Sequence, residues 1–235
     1  MKILILTCCD SENRAKRFER LTESKRKYAN KYEGIDFAFE IRWTDRDFTP
    51  MWEKIQMLLD HMDDGYDYLM WMDDDAGFIK FDVDFRIHIP KDGKRFYFTQ
   101  SRLWYEGEMC KGVTIKDSLI NSGVFFVKCC DENKSVLNEW YEKRRNPEGI
   151  WPDQCTIIRW YLNNVSVCGF VNTKIFNAYP KEPDDLGTCV AVKTKDTMVL
   201  HFIGQMKSLK DKYFGVIRRQ AVTHNSIPFL DDGWE

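Results

Sequence analysis

The first 72 residues of the chain alternate apolar runs of strand length with stretches of helical periodicity. The runs at Lys2–Leu6, Ile35–Ile41 and 66–72 predict three strands, and the last reads as fully buried. Between the strands, apolar spacing predicts two helices, the first capped by Asp10 or Ser11. A β-α-β-α-β order requires right-handed crossovers. It therefore predicts an α/β fold with a mainly parallel central sheet covered by helices on both faces.

The rest of the chain continues this alternation without an internal repeat or a linker. Further strands are predicted at 95–99, 123–128, 166–171 and 198–203, further helices at 132–145, 153–162 and 208–214, and a long loop at 102–117. A chain of 235 residues fits one large domain. We expect a single domain over 1–235, with a donor-binding half at about 1–100, an acceptor and catalytic half at about 101–210 and a tail at 211–235.

Charge and composition narrow the classes of partner and compartment. The formal net charge is -2, which gives no bulk field for binding nucleic acid or an anionic membrane. No segment approaches the roughly 20 apolar residues of a transmembrane helix, and the apolar start is too short for a signal peptide. The eight cysteines include no C-x-x-C pair, so we expect free thiols and a cytoplasmic protein, in the host cytoplasm if it is viral. The sequence does not indicate an oligomeric state.

Three consecutive carboxylates follow the third predicted strand in "YLMWMDDDAGF". Ligands of an open α/β sheet collect at the carboxyl ends of its strands. In a tight turn, Asp73 and Asp75 can point the same way while Asp74 points elsewhere. Two converging carboxylates form a hard-oxygen site for Mn²⁺ or Mg²⁺, which would remove their mutual repulsion. The alternative is a solvated acidic turn, but the position after a buried strand favours the metal site.

A second candidate segment is "VLHFIGQMK" at 199–207. His201 ends a predicted strand and is a suitable third ligand for Mn²⁺. Gly204 would let the backbone approach a phosphate, and Lys207 would add a positive point charge. The alternatives are a hydrogen-bonded core histidine and a solvated lysine.

Four motifs, "WMDDDA", "INSGVFFV", "WPDQCTI" and "HFIGQMK", occur in the order found in retaining GT-A glycosyltransferases. The chain resembles family 34, the galactosyl-, xylosyl- and mannosyltransferase group, which carries a W-x-K helix like that in "MWEKIQMLL". It is also similar to the glycogenin-like family 8 in the H-x-x-G-x-x-K spacing, although Ser-Leu follows Lys207 where family 8 has Pro-Trp. Its compactness and lack of an anchor resemble the small soluble glycosyltransferases of chlorella viruses.

The resemblance implies a Rossmann-like, nucleotide-sugar-binding GT-A fold and a metal-dependent glycosyltransferase. A sugar would move from a UDP-sugar to a glycan hydroxyl with retention of configuration. The implied Mn²⁺ ligands are Asp73, Asp75 and His201. The implied donor-binding residues are Thr7 and Cys8 at the nucleotide base, Lys54 on its helix, Asp73 near the ribose, its neighbour Asp74, and Gly204 and Lys207 at the diphosphate.

The resemblance also places Asp153, Gln154 and Asn121 at the reacting sugar. Asn121 would bond sugar hydroxyls, and Gly123 would leave room for the sugar ring. The simpler interpretations are an ordinary turn into a strand at 121–123 and an Asp153 that only complements its helix dipole. Aromatic side chains suited to stacking on acceptor sugars are Trp104, Tyr105 and Trp151.

Three other classes share parts of this pattern. A nucleotide-sugar- or glycan-binding module without turnover is the hardest to exclude from the sequence. A sugar nucleotidyltransferase would carry a glycine-rich basic loop after the first strand, and "TCCDSENRAKR" lacks the glycines. A phosphatase of the haloacid type carries D-x-D on the first strand, whereas here the motif follows the third.

Overall fold

The computed structural model describes residues 1–101, 119–147, 151–179 and 193–202, and Met1–His201 form one compact unit. The strands in chain order are β1 (Ile3–Cys9), β2 (Ile35–Ile41), β3 (Tyr68–Met72), β4 (Ala76–Phe78), β5 (Phe96–Ser101), β6 (Leu119–Lys128), β7 (Cys168–Phe170) and β8 (Val199–His201). The helices are α1 (Glu12–Ala29), α2 (Glu53–Asp60), α3 (Asp131–Glu142), α4 (Pro152–Asn163) and α5 (Thr173–Phe176).

Six of these strands form a central sheet in the order β2-β1-β3-β6-β5-β7. Three of the five pairings, β1 with β2, β1 with β3, and β5 with β7, are parallel. Strand β6 runs antiparallel to both of its neighbours. The predicted mainly parallel α/β sheet is confirmed, with one reversed strand in its middle.

The continuous apolar runs are explained by burial on both faces of this sheet. Successive residues of β1 point alternately to two hydrophobic clusters, with Leu4 and Leu6 in one and Ile3 and Ile5 in the other. Strand β3 divides in the same way, with Trp71 on the first side and Met70 on the second. A strand that is covered on both sides has no solvent-facing positions, so it shows no polar alternation.

Helix α1 begins where the sequence predicts. The Ser11 side chain accepts a hydrogen bond from the Arg14 backbone N–H and caps the first turn. Phe18, Leu21 and Tyr28 are buried along one side of the helix, and Lys25 is buried among them. The helix packs on β1, β2 and β4, so it lies beside the turn that joins β3 to β4.

A second, two-stranded sheet is absent from the sequence prediction. Strand β4 directly follows the three aspartates and pairs antiparallel with β8, with Ala76 opposite His201. Strand β8 lies within the strand predicted at 198–203, whereas β4 has only three residues, too few to show a period. Their pairing fixes His201 beside the triple-aspartate turn.

Several predicted boundaries shift. Asn121 and Gly123 lie inside β6 and not in a turn before it. The strand predicted at 166–171 begins as a 3₁₀ turn, because β7 covers only Cys168–Phe170. The loop predicted at 102–117 and the helix predicted at 208–214 lie outside the described residues.

The expectation that all cysteines are free thiols holds for only some of them. Cys8, Cys9, Cys129, Cys130 and Cys168 are free. The expectation is wrong for Cys155, which is disulfide-bonded. Within the described ranges, every helix is too short or too polar to cross a bilayer.

Candidate functional site

The triple-aspartate turn is held by backbone contacts at the end of β3. The Asp73 N–H donates to the Gly123 carbonyl at 2.8 Å, and the Ala76 N–H donates to the Asp73 carbonyl at 3.0 Å. The Lys25 ammonium, buried on α1, donates to the same Asp73 carbonyl at 2.8 Å. The turn is therefore tied to the neighbouring strand and to the helix above it.

Two carboxylates and an imidazole converge beside this turn. One ligand atom each from Asp73, Asp75 and His201 lies within 4.8 Å of the others. His201 Nε2 is 3.0 Å from an Asp75 oxygen and 3.8 Å from an Asp73 oxygen. Asp75 and His201 are buried, whereas 30% of the Asp73 side chain is exposed. Carboxylate oxygens with one imidazole form a donor set that suits Mn²⁺, so these residues fit a single divalent cation.

Two residues outside the cation ligands hold the His201 ring. A Cβ added to Gly123 would lie 2.2 Å from His201 Cε1 and 2.9 Å from Nδ1. Gly123 is thus needed to leave room for the imidazole, whereas the sequence suggested room for a sugar ring. On the Nδ1 side, the Asn177 Oδ1 atom lies 2.7 Å away. Asn177 is fully buried and follows α5.

Asp73 is the carboxylate shared by several neighbours. Its Oδ1 accepts a hydrogen bond from the Trp71 indole at 2.7 Å and lies 3.3 Å from the Lys54 ammonium. Burial raises the pKa of Asp73 above its ordinary value, and the charge of Asp75 adds to this effect. Lys54 and His201 act in the opposite direction but do not cancel the rise.

Lys54 is buried and connects two parts of the site. Only 6% of the residue is exposed. Its ammonium donates to Asp153 Oδ2 at 2.9 Å, to the Ser122 carbonyl at 2.9 Å and to the Ser122 hydroxyl at 3.2 Å. Although burial lowers its pKa, the carboxylates of Asp153 and Asp73 raise the pKa of Lys54 above its ordinary value. One ammonium therefore links the cation ligand Asp73 to the start of α4.

The residues predicted at the reacting sugar gather around Ser122. Asp153 and Gln154 are buried in the first turn of α4, so Asp153 is not a solvated acid that serves only the helix dipole. The Gln154 side-chain oxygen accepts from the Ser122 N–H at 3.1 Å, and Asp153 Oδ2 lies 3.3 Å from the Ser122 hydroxyl. Asn121 Oδ1 accepts from the Gly123 N–H at 2.8 Å.

Asp74 faces away from this group. Its carboxylate forms a two-point ion pair with Arg14 on α1 and accepts a hydrogen bond from the Cys9 thiol at 3.4 Å. Nearby, burial lowers the pKa of Lys25 to about 8, although the surrounding aspartates oppose the shift. The Asp74 carboxylate is thus paired with Arg14 on α1 and does not join the candidate cation ligands.

The two residues predicted at the nucleotide base lie at the carboxyl end of β1. The Thr7 side chain is buried and donates to the Met72 carbonyl at 2.7 Å, so it is committed to the sheet. Cys8 is half-buried and packs beside the first hydrophobic cluster. Burial raises the pKa of the Cys8 thiol to about 12, which keeps it protonated at neutral pH.

The remaining predicted residues divide into one that is placed and four that are not. Trp151 is partly exposed at the start of α4, where its carbonyl accepts from the Cys155 N–H at 2.8 Å. Gly204, Lys207, Trp104 and Tyr105 lie outside the described residues.

Sequence reasoning missed four residues of this region: Ser122, Asn177, Arg14 and Lys25. The signal for Lys25 was its place among the apolar positions of a helix, which is unusual for a charged residue. Ser122 lay inside the quoted N-S-G motif. Arg14 and Asn177 gave no local signal.

Comparison with known proteins points to one family. Residues 1–208 match the profile of the galactosyl transferase GMA12/MNN10 family. An uncharacterized protein of Arabidopsis thaliana is 20% identical over 171 residues, which cover 68% of this chain and 46% of the relative. The chain thus spans about half the length of that relative.

A similar solved structure is that of a glycosyltransferase involved in the glycosylation of the major capsid of PBCV-1. The TM-score is 0.69 at 13% identity, and the alignment covers 92% of this chain and 100% of the other. This likeness supports the glycosyltransferase fold.

Proposed function

Because the chain belongs to the galactosyl transferase GMA12/MNN10 family, we propose that it is a glycosyltransferase that uses a nucleoside-diphosphate sugar as donor. The proposed donor is a UDP-sugar, and the proposed acceptor is a glycan hydroxyl. Transfer proceeds with retention and requires Mn²⁺ or Mg²⁺. A single domain over 1–235 and a cytoplasmic location are part of the same proposal.

The observation that carries this proposal is the convergence of Asp73, Asp75 and His201 at the end of β3. A divalent cation bound there would offset the negative charge that develops on the departing diphosphate. The three side chains provide a charge and donor set suited to such an ion. Asp73 is the most exposed of the three and is the one positioned to meet a ligand from solvent.

Lys54 serves as the fixed positive charge next to this site. Its ammonium contacts both Asp73 and Asp153, so it holds the cation ligand and the reacting-face carboxylate in one arrangement. A preorganised buried charge needs no rearrangement during the reaction, which is the property that makes such groups effective. At the diphosphate, Gly204 and Lys207 remain proposed contacts from the sequence, and Thr7 and Cys8 remain proposed at the base.

The surroundings of Asp153 favour a positioning role over a nucleophilic one. Its Oδ2 atom already accepts hydrogen bonds from Lys54 and Ser122. A carboxylate paired with an ammonium is stabilised and therefore less reactive as a nucleophile. We assign Asp153, Gln154 and Asn121 to holding the donor sugar and its positive transition-state charge, while the acceptor attacks from the side that the diphosphate leaves.

The test is nucleotide release from a panel of UDP- and GDP-sugars, with Mn²⁺, with Mg²⁺ and with a chelator. We expect UDP release that depends on the cation and increases with a glycan acceptor. A binding module would release no nucleotide, and a nucleotidyltransferase would instead form nucleotide sugar from sugar phosphate and nucleoside triphosphate. Release that persists in the chelator would overturn the cation requirement.

A further inference from the structure

We propose that Asn177 is a positioning residue that fixes a proton of His201 on Nδ1 and thereby leaves Nε2 as the nitrogen that binds the cation. The inference rests on the proposed cation site and adds to it a residue and a physical role.

The Thr99 hydroxyl is buried in β5. This hydroxyl has one hydrogen, and it donates that hydrogen to the Val124 carbonyl at 2.9 Å. A second backbone carbonyl, that of Asn121, lies at 3.5 Å and is also only an acceptor. Toward any other neighbour, the Thr99 oxygen can therefore only accept.

That constraint sets the orientation of the Asn177 amide. Asn177 Nδ2 lies 2.8 Å from the Thr99 oxygen, which as an acceptor requires the amide NH₂ on this side. The Asn177 carbonyl oxygen consequently faces the other way, 2.7 Å from His201 Nδ1. An amide oxygen only accepts, so His201 Nδ1 carries a hydrogen.

The consequence falls on the opposite ring nitrogen. The opposite nitrogen, Nε2, also faces acceptors, the carboxylates of Asp75 at 3.0 Å and Asp73 at 3.8 Å, so a hydrogen or a cation must lie between them. Because Asn177 holds the Nδ1 hydrogen, a cation that takes the place of the Nε2 hydrogen meets the lone pair of a neutral imidazole. The ring cannot shift toward β6 without meeting Gly123. Mutation of a group that orients a metal-binding histidine in this way typically lowers the metal affinity by about 10–100-fold.

The experiment measures Mn²⁺ affinity from the electron paramagnetic resonance signal of the free ion. The wild-type chain is compared with Asn177→Leu, which removes the acceptor at similar size, and with Asn177→Asp, which keeps an acceptor. We expect about a 10–100-fold loss of affinity in Asn177→Leu and a smaller loss in Asn177→Asp, which keeps the acceptor at Nδ1 but loses the amide donor to Thr99. Equal losses in both variants, or none in Asn177→Leu, would overturn the role of Asn177.

A second measurement reads the proton directly. Nitrogen-15 spectra of histidine-labelled protein, assigned by His201→Ala, report which ring nitrogen carries hydrogen. We expect Nδ1–H in the wild-type chain and a mixture of tautomers in Thr99→Val, whose Asn177 amide is no longer oriented. This variant also serves if Asn177→Leu does not fold, and an unchanged tautomer in it would overturn the relay. A wild-type chain that binds no Mn²⁺ would overturn the cation site itself, an outcome distinct from these.

Discussion

The two sides of the triple-aspartate turn pair their charges differently. On the α1 side, Asp74 meets the guanidinium of Arg14 and the thiol of Cys9. On the β8 side, carboxylate oxygens of Asp73 and Asp75 face the Nε2 atom of His201. The first side pairs a carboxylate with hydrogen-bond donors. The second brings two carboxylates and an imidazole nitrogen together, a donor set that suits a divalent cation.

The comparison shows that adjacent residues of one type can have unrelated roles. Asp74 and Asp75 are neighbours in sequence and both are buried. One anchors a helix to the sheet, and the other contributes to a candidate cation site. The difference lies in what each side chain faces, so substitutions on the two sides should separate protein stability from cation binding.

The largest effect is expected from Asp75→Asn. The variant keeps the shape of the side chain but removes one anionic ligand, so Mn²⁺ affinity should fall by more than about 100-fold, beyond the usual effect of an outer-shell residue. Cation-dependent nucleotide release should be lost with it. Calorimetric titration with Mn²⁺ measures the first quantity and UDP release the second.

Asp74→Asn is the matched control on the α1 side. It should lower the free energy of unfolding by about 1.5–3 kcal/mol through the loss of charged hydrogen bonds, while Mn²⁺ affinity changes little. If both variants lost cation affinity equally, the two sides of the turn would act as one site and the comparison would fail.

The next effect concerns the lysine that connects the β8 side to α4. Lys54→Met leaves Asp153 buried without its ammonium partner, which typically costs about 3–5 kcal/mol of unfolding free energy. Urea denaturation measures this loss. Because Asp73 also loses a positive neighbour, its pKa should rise further, so Mn²⁺ binding should weaken more steeply on acidification than in the wild-type chain. An unchanged urea midpoint would show that the Lys54–Asp153 pair contributes nothing to the fold.

The smallest effect is expected from two glycine substitutions, one on each side of the turn. In Gly123→Ala the new methyl would overlap the His201 ring, so cation affinity should fall by about 10-fold or more as the ligand is displaced. In Gly77→Ala the methyl would lie 2.6 Å from the Leu21 side chain, so unfolding free energy should fall by about 1–3 kcal/mol instead. Thermal unfolding with and without Mn²⁺ distinguishes the two, and interchanged results would contradict the assignment of sides.

The elements that the sequence predicted best are those with a local period. β2 begins and ends at the predicted residues, and α1 begins after its predicted cap, because strand alternation and helix capping involve residues only a few positions apart. Strand β8 lies within the strand predicted at 198–203, but β4 escaped prediction because three residues carry no period. Its pairing with β8 escaped as well, because it joins segments more than a hundred residues apart.

The candidate site follows the same division. The candidate cation ligands Asp73, Asp75 and His201 were predicted from motifs. Their surroundings were not, since Asn177, Arg14 and Ser122 act across distances that no motif spans. Asp153 lies 99 residues from Lys54 in the chain, and Arg14 lies 60 from Asp74.

The sequence by itself therefore determined the candidate cation ligands and most of the helices and strands, since helical and strand periods depend on short-range geometry. Only the tertiary structure decided that Asp74 turns to Arg14 while Asp75 turns to His201, and that Lys54 is buried between two carboxylates. The physical reason is that a charged side chain is stabilised by the groups that surround it in space. Those groups are brought together by the pairing of the strands and the packing of the helices on the sheet, and not by the order of residues along the chain.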